Sequence, residues 1–72
     1  MDKTRVVLNS LPEKHLNYLK NLKATNRRAK EENHRTMYEQ TKSAAVGYIK
    51  ALANCGVIAD NDFKVLFIWF TV

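Results

Sequence analysis

Residues 34–56 read HRTMYEQTKSAAVGYIKALANCG, and the spacing of their apolar groups decides the fold class. Met37, Thr41, Ala44 or Ala45, Tyr48, Leu52 and Cys55 recur at steps of three and four, the interval that gathers side chains on one face of an α-helix. This spacing predicts a central helix over residues 34–55. Ala44, Ala45, Gly47, Ala51 and Ala53 supply small residues that let a second helix approach closely, with Tyr48, Ile49 and Leu52 adding area. Gly47 costs about 1 kcal/mol relative to alanine in such a helix, and close packing is the expected compensation. Gly56 marks the end, because glycine enters the left-handed backbone region without the Cβ clash other residues meet.

Toward the C-terminus, Asp60 or Asn61 reads as the cap of a helix over residues 61–70, with Asp62 well placed against the positive end of its dipole. Phe63, Leu66, Phe67 and Phe70 form the inward stripe. Val65, Ile68 and Trp69 lie mostly off it, so this aromatic helix is apolar nearly all round and should be enclosed by its own chain or by another. Those three residues are therefore candidate partner or homodimer contacts.

Toward the N-terminus, Ser10-Leu11-Pro12-Glu13 reads as a capping box, with Pro12 in the first turn where its missing N–H costs nothing. Leu11, His15, Tyr18 or Leu19, and Leu22 give the face of a basic helix over residues 11–24. From Lys23 to His34 only Ala24 and Ala29 are apolar, so the helix either continues to residue 33 or yields to a basic loop, and Asn26 is a residue able to end one helix and cap the next. Val6, Val7 and Leu8 are β-prone and too short for a sheet, which predicts an extended arm over residues 1–9. The expectation is a single all-α domain over residues 1–72: three helices and an N-terminal arm.

Charge supplies the functional signal. In the first thirty residues Lys3, Arg5, Lys14, Lys20, Lys23, Arg27, Arg28 and Lys30 stand against only Asp2 and Glu13, within a 72-residue chain of net charge +5. A field of one sign carries a self-repulsion cost and commonly meets a partner of the other sign. If the basic helix continues, Lys14, Lys20, Lys23, Arg27, Arg28, Lys30 and Arg35 form the candidate nucleic-acid or anion-binding set. The arginines suit forked phosphate contacts and the lysines act as point charges. The bland alternative is a solvated face that keeps the protein in solution.

Other chemistries find little support. A helix-turn-helix reader would place residues 63–69 in the major groove, yet Lys64 is the only long donor there, so backbone contact is favoured over base reading. Open-sheet RNA recognition lacks its sheet. His15, His34 and Cys55 have no paired zinc spacing, and no nucleophile–base constellation or glycine-rich phosphate loop is present, so neither a metal, a cofactor nor an enzymatic activity is expected. The single cysteine excludes an intramolecular disulfide and, with apolar neighbours, reads as a buried thiol. The basic start predicts no secretory leader, and the longest apolar run, residues 65–70, is far below the roughly 20 residues of a membrane span. A cytoplasmic, non-enzymatic binding protein is expected, meeting nucleic acid or, alternatively, an acidic protein surface as an adaptor or inhibitor.

Overall fold

The computed structural model describes residues 3–72; residues 1 and 2, where the expected arm would begin, lie outside the described residues. The described residues form four helices: α1 (Lys3–Ser10), α2 (Glu13–Glu31), α3 (Arg35–Asn54) and α4 (Asp60–Thr71). The all-α class holds, and no strand occurs among the described residues. The helix count and the arm require correction. Residues 3–10 are helical, because helix geometry puts Val7 and Leu11 four residues apart on one side and buries both, while Leu8 packs on the same core. Burial of Val7 overrides the β preference of the Val6-Val7 pair, and Val6 is left exposed.

Ser10 ends α1 and does not cap α2. Its hydroxyl donates to the Val7 carbonyl at 2.7 Å, and Pro12 occupies the N-cap of α2 with no side-chain cap. Proline disfavours helical backbone at the residue before it, so the chain turns at Leu11 and restarts at Glu13. Once begun, α2 passes through Asn26 without a break. Asn26 is buried, and its Nδ2 donates to the Tyr38 carbonyl and to Thr41 Oγ1, both at 2.9 Å, which satisfies the amide N–H groups inside the α2–α3 contact. Of the two alternatives the continuous helix holds, and Asn26 is an interhelical pin.

Two paired-turn motifs close the long helices. Asn33 adopts φ 57°, and its neighbour His34 donates its N–H to the Ala29 carbonyl at 2.8 Å. Gly56 adopts φ 78°, and Val57 donates to the Leu52 carbonyl at 2.9 Å. Both ends satisfy carbonyls the helices leave open. His34 then caps α3, its Nδ1 accepting from the Met37 N–H at 3.2 Å. On α4 the cap is Ala59, not Asp60 or Asn61, and both Asp60 and Asp62 lie in the first turn.

The core joins Val7, Leu11, Leu19, Ile49, Leu52, Ile58 and Leu66, with α2 packed on α3, α3 on α4 and α1 on α4. Ala45 is fully enclosed and serves the small-residue role on α3. Gly47 does not: it is exposed, and a Cβ there would meet nothing within 4 Å. Cys55 is likewise exposed: it follows the last turn of α3, where the chain reverses at Gly56.

Candidate nucleic-acid interface

An unbroken α2 sets the position of each basic side chain. With about 3.6 residues per turn, Lys20 and Arg27 fall nearly in line about 10 Å apart along the axis, and Lys23 and Lys30 flank them on the side nearest the core. Lys20, Lys23, Arg27 and Arg28 line one shallow cleft of about 350 Å³, with Ala24 and Glu31. Lys23, Arg27 and Lys30 line a second, about 220 Å³, between α2 and the end of α4. The structure thus brings five of the seven candidate cations together. The two clefts share Lys23, Arg27 and the acidic Glu31, so the basic surface runs from one to the other around a single carboxylate.

Within that surface Lys23 has a separate task. Its Nζ donates to the main-chain oxygen of Trp69 at 2.5 Å and approaches that of Phe70 at 3.5 Å, and it sits 5.0 Å from the centre of the Trp69 ring. A cation at the C-terminal end of α4 meets carbonyls without helical partners and the negative end of the dipole. Burial, followed by repulsion from Arg27, holds the Lys23 ammonium below its ordinary pKa. Lys23 is thus a helix-docking residue, not the mobile phosphate contact its sequence position predicts.

Lys20, Arg27, Arg28 and Lys30 are exposed and make no ion pair among the described residues. Glu31 shares their shelf without pairing to any of them. Arg35 lies on α3 and pairs with Glu39 at 3.5 Å, one helical turn away; both side chains are well exposed, so the pair is weak. Lys14 is exposed in the first turn of α2, about a third of a turn around the axis from Lys20, and is not part of the shelf.

One cation outside the candidate set joins the surface. Because residues 3–10 are helical, Arg5 comes beside Lys20 in a third cleft of about 260 Å³ that also includes Leu8, Leu16 and Trp69. The signal that could have found it is the four-residue interval from Val7 to Leu11, which predicts a helix whose other side carries Arg5.

The remaining candidates divide. Val65 and Trp69 pack against the core, whereas Ile68 is 56% exposed. His15 Nδ1 and the Tyr48 hydroxyl lie 2.5 Å apart, and the Tyr18 and Tyr48 rings are 4.4 Å apart, so these groups tie α2 to α3. Among the described residues no group of three His, Cys, Asp or Glu side chains converges on a metal position, and no helix is long and apolar enough to cross a membrane. Comparison with models of known protein families, with curated proteins and with solved structures finds no match for this chain.

Proposed function

We propose that this protein is a non-enzymatic accessory or regulatory protein that binds nucleic acid through the phosphate backbone, with Lys20, Arg27, Arg28 and Lys30 of α2 as the principal contacts. The observation that carries this reading is the continuity of α2 through Asn26, which sets four exposed cations without ion-pair partners, among the described residues, on one helix, Lys20 and Arg27 nearly in line with Arg28 to one side and Lys30 to the other. Phosphates neutralised by such side chains release condensed counterions, so affinity depends steeply on salt and little on base sequence.

The test is fluorescence anisotropy of labelled DNA and RNA at low salt, beside a polyglutamate control of matched charge. Binding to the nucleic acids should exceed binding to polyglutamate, and the double reversal Arg27→Glu, Arg28→Glu should weaken it by more than about tenfold without unfolding the exposed helix face. A protein that prefers polyglutamate would instead be an adaptor for an acidic protein surface. Of the three candidate dimer contacts only Ile68 is well exposed, Val65 and Trp69 being half-buried against the core, and an isolated exposed aliphatic side chain is ordinary for a protein surface.

A further inference from the structure

The cleft between α1, α2 and α4 places an indole beside its charges, whereas the aromatic residues lining the α2–α4 cleft are Tyr38 and the buried Phe70. Arg5 enters from α1, Lys20 from α2 and Trp69 from α4, while Leu8 and Leu16 add apolar lining. Lys20 also belongs to the shelf formed with Arg27 and Arg28, so a strand following α2 reaches this cleft without leaving the positive surface. Trp69 is steadied by core packing, by Lys23 at 5.0 Å from its ring centre and by the Phe70 ring at 6.3 Å.

We propose that this cleft receives one nucleotide of a single-stranded nucleic acid, its base against Trp69 and its phosphate between Arg5 and Lys20. The inference deepens the backbone-binding reading above and rests on it. At about 260 Å³ the cleft is smaller than the roughly 300–1,000 Å³ that encloses a drug-sized ligand, and suits one planar ring followed by chain that continues outside. Stacking on an aromatic side chain accepts any base, because every base has a π-face, and a nearby positive groove holds the backbone. A paired duplex keeps both faces of its bases stacked internally. It can lie on the α2 cations but has no free face to offer Trp69, so the cleft favours the single strand.

Trp69 is the sole tryptophan of the chain, so emission excited selectively at tryptophan reports on this residue. The experiment titrates the full chain at low salt with an oligothymidine strand and with the same strand annealed into a duplex, following emission and the anisotropy of an end label together. The expected result is that both bind, that only the single strand quenches Trp69, and that Arg5→Glu removes the quench while duplex binding along α2 persists. Single-strand binding with emission unchanged, quenching by the duplex to the same extent, or quenching that survives Arg5→Glu would each overturn the cleft assignment and leave the α2 reading standing. Absence of any binding at low salt would overturn both.

Discussion

Lys23 and Trp69 meet twice across the α2–α4 contact: the ammonium donates to the main-chain oxygen of Trp69 at 2.5 Å and lies 5.0 Å from the centre of its ring. One long side chain thereby closes the C-terminal end of α4 and supports an aromatic residue that borders the basic surface. Replacing it should be felt in both places. Lys23→Met keeps most of the stem's packing and removes the charge and donor, so we expect a loss of about 1 kcal/mol in chemical denaturation, with a shift in Trp69 emission of the folded protein. An unchanged denaturation midpoint and an unchanged spectrum would show that Lys23 does not hold α4.

The same residue predicts an alkaline signature. Its folded pKa is lowered from the ordinary 10.5, first by burial and then by Arg27, whereas the unfolded chain titrates near the ordinary value. Between the two values the unfolded state binds more protons, so the stability contribution of this group rises with pH across that window. The difference in stability between the wild-type protein and Lys23→Met isolates it from other alkaline titrations. NMR of the Lys23 Cε resonance should show it titrating below the ordinary 10.5, and Arg27→Ala should move its midpoint upward.

Two polar pins between α2 and α3 should differ in cost. Asn26→Ala empties a buried position and removes both amide bonds to Tyr38 and Thr41, for an expected loss of about 1–3 kcal/mol. Tyr48→Phe removes only the hydroxyl facing His15 Nδ1 and keeps the ring contact with Tyr18, for about 0.5–1.5 kcal/mol. Thermal and urea denaturation of both variants give the comparison. Equal stability of Asn26→Ala and the wild type would show that the amide bonds to α3 are not what carries α2 through residue 26.

The two glycines should respond to alanine with opposite signs. Gly47 is helical with nothing within 4 Å of an added Cβ, so Gly47→Ala should stabilise by about 0.5–1 kcal/mol. At Gly56 the space is equally open but φ is 78°, and Gly56→Ala should destabilise by about 1 kcal/mol or more. Denaturation of the two variants under one condition is sufficient, and a stabilising Gly56→Ala would contradict the turn assigned to it.

The parts of this fold legible in the sequence are those set by local spacing. The helical state of α3, its buried positions Ala45 and Leu52, its end at Gly56 and the α4 positions Leu66 and Phe70 follow from intervals of three and four residues and from one backbone requirement, whereas Met37 and Cys55 of the expected stripe are exposed and Ile49 takes the buried place beside it. The misread parts depend on contacts distant in sequence. Val6 and Val7 carry a strand preference that the packing of Val7 against the core overturns, and Ser10 offers a capping pattern that the Leu11-Pro12 turn leaves unused. Asn26 resembles a helix breaker until its partners on α3 are known, and Lys23 resembles a solvated charge until α4 ends beside it. The basic surface was visible as composition, but Arg5 joins it only because residues 3–10 are helical.

The central claim is that the exposed cations of α2 act together on phosphates, and the salt dependence of binding tests it most directly. Affinity for a DNA duplex, measured by anisotropy over a range of monovalent salt, should fall linearly on logarithmic axes with a slope of about −3 to −4 if Lys20, Arg27, Arg28 and Lys30 each neutralise one phosphate. The Arg27→Glu, Arg28→Glu protein should show a slope shallower by about 2 at unchanged fold. A slope near zero, or one unaffected by reversing both arginines, would contradict the account.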